Sequence, residues 1–401
     1  MRGSKLLYLA TGVMTVHQCF AYMVSLVVPV LAPVIAEELD VGPELIGAYS
    51  AVLYLSSMVS VTICGSLIQR FGPLRLSQAV LVLMAAGLAI TIPGTLALFA
   101  VAAVLVATGP GCSTPAGSQI LARYCPPRLA PLVFSIKQTG VPIGGLLAGL
   151  LLPYLVTLVG WRGAFLATAA VILAFAVILQ PLRAEFDNAR QPGRRVSPAD
   201  AKATLKAVIT DPGLREIAFA ASTFVGLQVC FHSFFVTYLV KGLGWPLATA
   251  GYAFAASQGI TLFTRVLWGW IAGRFLAPRT VLAGLGVAMA LASVATGLYT
   301  PEWSLLGLTA VAVFFNATAV SWHGVIFAEI ARLTPAAEVG TMTGGVLFFV
   351  FVAMTVYPAV FGAILGVTDS YAYGFFLGAV PALIAGLLFL RRDRTGGIRV
   401  A

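Results

Sequence analysis

Charged residues are scarce in this sequence. Asp, Glu, Lys and Arg make up 9% of the 401 residues, whereas about 25% is usual in a soluble domain. Hydrophobic residues make up 60%, so most of the surface must face something other than water. The apolar runs are continuous and exceed the roughly 20 residues that a helix needs to cross a bilayer, which excludes the alternating pattern of a β-barrel. The sequence therefore predicts an all-α membrane protein surrounded by lipid.

Motifs for covalent and metal chemistry are also missing. The five cysteines have no paired spacing, so neither a disulfide framework nor a metal site is predicted. The chain contains no GxxxxGK[ST] phosphate loop and no HExxH, CxxC or GxSxG motif, which argues against direct ATP coupling and against catalysis. We therefore expect no cofactor and no enzymatic activity. The net charge of +10 is explained by membrane topology, so no nucleic-acid partner is expected.

What the sequence does contain is a series of twelve apolar spans. They predict an N-terminal six-helix bundle at 1–180, a cytoplasmic linker at 181–215 with an amphipathic helix starting at Ser197-Pro198, a C-terminal six-helix bundle at 216–390 and a basic tail at 391–401. The approximate spans are 8–36, 45–68, 76–93, 95–121, 131–159, 163–180, 216–240, 249–272, 280–299, 304–328, 341–366 and 372–390.

Lysine and arginine placement orients these spans. Twenty of the 24 Lys and Arg residues fall on the side of the two termini, and only Arg162 and Lys241 fall on the other side. By the positive-inside rule both termini are cytoplasmic. The first apolar stretch is longer than the core of a cleaved signal peptide, so we expect it to be retained. Short loops without a glycosylated ectodomain favour a bacterial inner membrane.

The two halves repeat. The segment from Gly65 to Arg75 follows the second span, and the segment from Gly269 to Arg279 follows the eighth, 204 residues later. Leu-Ala-Arg ends the fourth span and Ile-Ala-Arg ends the tenth at an offset of 209, while Cys-Phe recurs at an offset of 211. Similar offsets indicate duplicated six-helix halves.

The loop after the second span resembles the signature loop of the major facilitator superfamily. Gly65, Arg70, Gly72 and Arg75 match that signature, whereas Gln69 stands at the usual acidic position. The run Gly-Trp-Arg-Gly-Ala-Phe at 160–165 resembles the family's turn between spans 5 and 6. The resemblance covers the whole chain, and it implies that spans 1, 4, 7 and 10 line a central cavity around which the halves rock. It also implies gating roles for Gly65, Arg70, Gly72, Arg75, Gly269 and Arg274, with a cytoplasmic latch that is weakened or built differently at Gln69.

Ionisable residues inside the spans are few and costly. Each one costs roughly 2.5–3.5 kcal/mol or more at the centre of a membrane helix, so those present are usually functional. They are Lys137, Arg265 and three histidines, and all fourteen acidic residues lie in loops or at span ends. A buried cation without a counter-charge is unfavourable. We therefore predict that a bound anion is the missing partner.

Arg265 is the stronger of the two cationic candidates. Its guanidinium can hold a carboxylate by two parallel hydrogen bonds, and Gln258, Thr261 and Arg265 share one helix face. The run Arg-Val-Leu-Trp-Gly at 265–269 is similar to the eighth-span arginine of monocarboxylate and oxalate transporters, although Thr261 stands where the monocarboxylate carriers have an acidic residue. The alternative for Arg265, and equally for Lys137, is a side chain that reaches back to the cytoplasmic interface.

The remaining site candidates are polar residues in the same spans. His17, His232 and His323 all fall in spans of the cavity-lining type, and their near-neutral pKa range makes them candidate proton carriers. Packing within the helix core is the alternative for each histidine. Further predicted substrate-binding residues are Gln18, Tyr22, Thr114, Asn316 and Trp322, whose alternative role is helix packing.

These residues favour one function over two others. We expect a monomeric secondary transporter that moves a small organic anion, in particular a carboxylate, by alternating access, with protons as the candidate coupling ion. The alternative is a drug or metabolite efflux antiporter, favoured by a loose match of 139–145 to a fifth-span motif of antiporters. Exporters of cationic drugs usually need an embedded carboxylate, which these spans lack. A non-transporting sensor or enzyme is disfavoured because no sizeable soluble domain or catalytic motif is present.

Overall fold

The computed structural model describes residues 2–40, 44–194 and 196–390, and all regular secondary structure in these ranges is helical. The predicted all-α class is confirmed for this part of the chain. The α-helices are α1 (Arg2–Ser25), α2 (Val27–Leu39), α3 (Glu44–Phe71), α4 (Pro73–Ile90), α5 (Leu96–Val106), α6 (Thr108–Tyr124), α7 (Ala130–Gln138), α8 (Gly140–Ile178), α9 (Arg183–Phe186), α10 (Pro198–Thr210), α11 (Pro212–Thr237), α12 (Leu247–Gly259), α13 (Thr261–Arg274), α14 (Pro278–Gly297), α15 (Leu305–Ala319), α16 (Trp322–Leu333), α17 (Val339–Thr368) and α18 (Tyr371–Leu390).

Ten helical stretches of the described residues are long and apolar enough to cross a membrane. The sequence predicts twelve spans, and the difference arises at two places. The stretch Pro127–Phe186 carries predicted spans 5 and 6 together, and Gly160 turns the chain between them with a φ of 67°. Predicted span 8 is divided at Ile260 into α12 and α13, which have 13 and 14 residues and are each shorter than a membrane crossing.

Helix interruptions also occur inside three predicted spans of the N-terminal half. The α1–α2, α5–α6 and α7–α8 junctions lie at Leu26, Ala107 and Thr139. Each junction is followed three residues later by a proline, at positions 29, 110 and 142. Proline has no N–H for the carbonyl four residues earlier, and its ring presses against that carbonyl. The interruptions therefore fall where a proline weakens the helical hydrogen bonding, and the one in predicted span 4 lies at Ala107.

Large apolar side chains cover much of the outer surface. Leu306 is 80% exposed, Val367 is 87% exposed and Tyr252 is 73% exposed. A surface of this kind would be unfavourable in water. It suits a helical protein whose outer faces contact lipid.

The described residues form two compact units. The first unit contains 2–40, 44–125, 137–194, 196–207 and 334–348, and the second contains 126–136, 208–333 and 349–390. The units follow the predicted halves except for two short exchanges, because 126–136 packs with the second unit and 334–348 with the first. The predicted linker divides between the units after position 207.

The second unit is packed around aromatic rings. Phe231 stacks on Phe315 at 4.3 Å between ring centroids and lies 4.5 Å from Phe235. Directly after the end of α11, Tyr238 stacks on Tyr371 at 5.2 Å. These contacts fix the rotation of α11 and hence the direction in which His232, the neighbour of Phe231, points.

The linker contains the helix that the sequence predicts. This helix is α10, and Val208 on its apolar face is fully buried while Ile209 is 51% exposed. Asp200 accepts a 3.0 Å hydrogen bond from the Ser66 hydroxyl, which attaches the start of α10 to α3. Arg195 and the predicted basic tail at 391–401 lie outside the described residues.

Candidate functional site

Lys137 lies in the last turn of α7 and is only 1% exposed. Its ammonium donates to Gln18 Oε1, to Gln138 Oε1 at 3.1 Å and to Thr114 Oγ1 at 3.3 Å. These bonds use the three donors of an ammonium group, and all three acceptors are neutral. Within the described part of the chain no carboxylate forms an ion pair with Lys137. The side chain does not extend to an interface, so its charge is buried and stabilised by dipoles alone.

Close helix packing places Lys137 against α1 and α6. A Cβ atom at Gly144 would overlap the carbonyl oxygen of Cys19, and a Cβ at Gly117 would lie 2.9 Å from Lys137 Cε. Only glycine at these positions lets α8 reach the α1 backbone and leaves room for the lysine stem on α6. The break at Thr139, just before Pro142, ends α7 directly after Lys137 and Gln138.

Gln18 is the centre of the polar network in the first unit. Its Oε1 accepts hydrogen bonds from Ser113 and Thr114, both at 3.1 Å, in addition to the bond from Lys137. Ser113 Oγ also lies 3.0 Å from His17 Nδ1. The structure thus joins four predicted residues, His17, Gln18, Thr114 and Lys137, in one continuous network through Ser113. Tyr22 lies one turn along α1, where its ring faces Gly145.

His17 is fully buried and both of its ring nitrogens have protein partners. Nε2 lies 3.2 Å from the carbonyl oxygen of Ser77 on α4, and Nδ1 faces Ser113 on α6. The ring therefore ties three helices together, which is the packing role that the sequence left open for it. Ser77 gave no signal in the sequence because it contributes only a backbone carbonyl.

Arg265 lies in α13 of the second unit and is 4% exposed. Thr261, one turn earlier, is also buried, and Gln258 before it is half-buried, so the predicted shared face is oriented inward. The break at Ile260 falls within this face, and Thr261 Oγ1 donates to the carbonyl oxygen of Gln258 at 2.8 Å. Arg265 lies near enough to His232 for their charges to interact.

A second polar chain crosses three helices of the second unit. His232 Nε2 lies 3.1 Å from Asn316 Oδ1, and Asn316 Nδ2 donates to Ser257 Oγ at 2.9 Å. The sequence predicted His232 and Asn316 but not Ser257. A serine in a membrane helix carries little signal by itself, because its hydroxyl can bond a carbonyl of its own helix.

Trp322 and His323 begin α16 as a stacked pair. Their ring centroids are 3.7 Å apart with an interplanar angle of 17°. Trp322 is fully buried and lies 6.1 Å from the Phe224 ring, while His323 Nδ1 is 3.0 Å from the carbonyl oxygen of Val320. Among the described residues Trp322 Nε1 has no hydrogen-bond partner. Trp322 thus packs within the unit, although its indole donor is left for another acceptor.

The predicted gating residues of the first unit meet the start of α17 and the linker. A Cβ at Gly65 would lie 2.7 Å from the Thr341 side chain, and Gln69 Nε2 donates to Thr341 Oγ1 at 3.2 Å. At Gln69, where a different latch is predicted, the observed contact is the hydrogen bond of a neutral amide, and the gating role stays a prediction. Arg70 lies over the ring of Phe71 at 5.0 Å.

Asp187, which the sequence did not single out, holds the turn between α3 and α4. Its carboxylate accepts the backbone N–H groups of Leu74 at 2.8 Å and Arg75 at 3.0 Å, and it occupies the space beside Gly72, whose φ is 95°. Burial raises the pKa of the Asp187 carboxyl, although both backbone donors and Arg183 oppose that shift. A non-glycine residue at 72 would be strained and would overlap Asp187.

The corresponding glycines of the second unit face α7. A Cβ at Gly269 would lie 2.5 Å from Ser135 Cβ and 2.7 Å from the carbonyl oxygen of Pro131. Gly324 approaches the backbone of Ser135 equally closely. Arg274, the last residue of α13, is exposed.

Comparisons with known proteins agree with this architecture. Residues 13–330, more than half of the chain, match the sequence profile of the Major Facilitator Superfamily. A bacterial homologue of the iron transporter ferroportin, solved in an outward-facing state, has a TM-score of 0.79 to this fold at 14% identity, over 95% of this chain and 98% of that chain.

Two curated relatives are also similar in sequence. The probable nitrate/nitrite transporter NarK2 of Mycobacterium tuberculosis is 29% identical over 232 residues, which span 57% of this chain and 56% of the relative. The match therefore covers little more than half the length of that relative. The 4-hydroxybenzoate transporter PcaK of Acinetobacter baylyi is 20% identical over 310 residues, which span 69% of this chain and 68% of PcaK. Because this sequence profile matches more than half of its length, the chain belongs to the Major Facilitator Superfamily.

Proposed function

We propose that the protein is a secondary transporter that moves a small anion with a planar oxyanion group, such as a carboxylate, nitrate or nitrite, by alternating access. It would cross a bacterial inner membrane twelve times with both termini in the cytoplasm, as the distribution of lysine and arginine favours. The observation that carries the proposal is the buried ammonium of Lys137, which is hydrogen-bonded only to neutral oxygens.

Neutral oxygens solvate the Lys137 charge but do not cancel it. A buried cation without a counter-charge remains costly, and an anion that enters the site offsets this cost. The side-chain oxygens of Gln18 and Thr114 can then turn to other partners. The site therefore favours an anionic substrate over a neutral or cationic one.

Arg265, in the second unit, is a buried cation that also has a preference for ligand shape. A guanidinium donates two parallel hydrogen bonds to a planar oxyanion, which is the geometry of carboxylate, nitrate and nitrite alike. The two relatives are named as a nitrate/nitrite transporter and a 4-hydroxybenzoate transporter, and both names refer to anions of this shape. They support the planar oxyanion as the common feature and leave its identity to experiment.

Uptake into proteoliposomes tests the proposal. Wild-type protein is offered labelled nitrate, nitrite, short carboxylates and aromatic carboxylates, with a lipophilic cation for comparison. We expect uptake of at least one anion, loss of that uptake in Lys137→Ala and Arg265→Ala, and wild-type uptake in Lys202→Ala, which removes an exposed linker charge. Wild-type rates in both site variants, or transport of the cation alone, would reject the anion proposal and favour the efflux alternative.

Proton coupling is the finer part of the proposal. His17 is connected to Lys137 through Ser113 and Gln18 by consecutive hydrogen bonds, so a change in the protonation of the ring can reach the ammonium site. We expect an imposed pH gradient to drive accumulation in the wild type. In His17→Gln, accumulation should be lost while exchange of labelled for unlabelled substrate persists, and equal gradient dependence in both proteins would exclude His17 as the coupling group.

A further inference from the structure

One cavity of the first unit lies away from the Lys137 network and is lined by three arginines. It has a volume of about 140 Å³, and we call it the arginine cavity after Arg123, Arg190 and Arg194. Arg123 comes from the end of α6, and the other two come from the linker that follows α9. Glu338, just before α17, is the one carboxylate in the described lining. The lining therefore carries an excess of positive charge.

The three arginines have little compensation from the protein. Arg123 donates to the neutral amide oxygen of Asn188, and Arg194 approaches Asp200 only to 3.8 Å in an exposed pair. Within the described residues the Arg190 guanidinium makes neither a hydrogen bond nor an ion pair, and its electrostatic interaction with the Asp187 carboxylate is shared with Arg183. Exposed pairs at such distances contribute about 0–1 kcal/mol, so the cluster keeps its positive potential.

The equivalent arginines of the second unit are neutralised. Arg332, which the repeat aligns with Arg123, donates to both oxygens of the buried Glu329 at 2.7 and 2.8 Å. Arg279, aligned with Arg75, donates to Glu216 at 2.7 Å. These two arginines of the second unit therefore have carboxylate partners, whereas Arg123 bonds the Asn188 amide and Arg75 bonds the Gln78 amide.

The linker that carries Arg190 is held in position. Asp187 accepts the N–H groups at the start of α4, and Gln191 N donates to the carbonyl oxygen of Gln69 at 2.7 Å. Residues on both sides of Arg190 are therefore fixed to the α3–α4 turn. On the other wall, Gln119 bonds the backbone of Ala336 and Gly340, which fixes the segment that carries Glu338. The backbone segments that line the cavity are therefore held in place by protein contacts before any ligand binds.

We propose that the arginine cavity binds a phosphate group and thereby stabilises the contact of the linker and the α17 start with α3 and α6. Guanidinium groups bind phosphate through paired hydrogen bonds, and a cavity of about 140 Å³ admits such a group with a few waters. The phosphate can belong to an anionic lipid headgroup, since basic pockets at the ends of membrane helices bind headgroups, or to a soluble phosphate. The phosphate ligand is distinct from the transported anion, and the arginine cavity is distinct from the Lys137 network.

The test uses the full chain in nanodiscs and follows its thermal unfolding temperature. One arm compares phosphatidylcholine discs with discs that contain phosphatidylglycerol, and the other titrates inorganic phosphate into phosphatidylcholine discs. The variant is Arg190→Gln/Arg194→Gln, both exposed positions. The control is Lys202→Gln/Arg215→Gln, which removes the same charge from exposed sites outside the cavity.

We expect the wild type and the control to be stabilised in at least one arm. The cavity variant should unfold at the same temperature as the wild type in phosphatidylcholine discs, and its half-saturating ligand concentration should rise about tenfold. Stabilisation by phosphatidylglycerol alone identifies a headgroup, and stabilisation by phosphate alone identifies a soluble ligand. The proposal is overturned if neither arm stabilises the wild type, or if the cavity and control variants respond equally.

Discussion

The two compact units interrupt their helices by different means. In the first unit the breaks at Leu26, Ala107 and Thr139 each precede a proline, so the covalent chain itself removes the helical hydrogen bond. In the second unit the break between α15 and α16 has no proline. There Ser321 Oγ donates to the carbonyl oxygen of Ala317 at 2.7 Å and lies 3.0 Å from Thr264 Oγ1 of α13. The first kind of break is built into the chain, whereas the second depends on a neighbouring helix.

The units also differ in how they treat charge. The first unit buries Lys137 among neutral oxygens. In the second unit the buried Glu329 forms an ion pair with Arg332. Glu329 Oε1 also lies 3.9 Å from Nη1 of Arg279. Duplicated halves can therefore share helix order and arginine positions, while the arginine at the end of α16 has a buried carboxylate partner and the one at the end of α6 has an amide partner. Each difference predicts a different response to substitution.

The largest expected effect is steric and falls in the first unit. In Gly144→Val the new side chain overlaps the Cys19 carbonyl oxygen, and because backbone cannot yield cheaply, we expect a loss of about 3 kcal/mol of stability or failure to fold. Gly149→Val is the matched control on the same helix, where a Cβ meets nothing within 4 Å. Thermal unfolding in detergent measures both, and equal unfolding temperatures would contradict the close α1–α8 contact.

The next effect is electrostatic and falls in the second unit. Glu329→Gln keeps a hydrogen-bond acceptor but leaves Arg332 without its counter-charge. Breaking a buried pair costs about 3–5 kcal/mol, and the 37% exposure of the Arg332 side chain reduces our expectation to about 2 kcal/mol. The partly exposed pair of Arg194 and Asp200 gives the control. Asp200→Asn should lower the free energy of unfolding by less than about 0.5 kcal/mol. Similar losses in both variants would show that Glu329 is not a special counter-charge.

Restoring the helix at Thr139 should affect transport more than stability. In Pro142→Ala the new N–H can bond the Gln138 carbonyl oxygen, which closes the break and moves the Lys137 ammonium away from Gln18. We expect uptake to fall about tenfold, or about 1.4 kcal/mol in barrier height, without a lower unfolding temperature. Pro153→Ala, within the same helix but at no break, should transport normally. Normal uptake by Pro142→Ala would mean that the break does not position Lys137.

The smallest effect tests the proline-free break. Ser321→Ala removes the hydroxyl that bonds Ala317 and Thr264, at a cost of about 1 kcal/mol. In Ser60→Ala the lost bond goes only to the Ser56 carbonyl oxygen of the same helix, so the change should be within about 0.5 kcal/mol. If Ser321→Ala is as stable as Ser60→Ala, the break between α15 and α16 is held by other contacts.

The sequence singles out the charged site candidates because an ionisable residue in an apolar run is costly and therefore easy to recognise. Lys137 and Arg265 were identified in this way, and Gln18, Thr114 and Asn316 were found as polar residues in cavity-type spans. Ser257 and Asp187 were not found. A serine has few distinguishing neighbours in a membrane helix, and an aspartate in a polar linker resembles any solvated carboxylate until the fold brings it to a helix start.

The chain sequence by itself determined the helical class, the repeat and the family, because apolar run length and motif spacing are local properties that no tertiary contact can change. Only the tertiary structure decided which polar groups meet. Lys137 and Gln18 are 119 positions apart in the sequence, and neither segment contains a signal that predicts contact with the other. The same holds for the prolines, since the helix continues through Pro115 and through Pro153, whereas Pro142 follows a break. The carbonyl that lacks its helical hydrogen bond at a proline can find a partner in several ways, and the neighbouring helices determine which one is used.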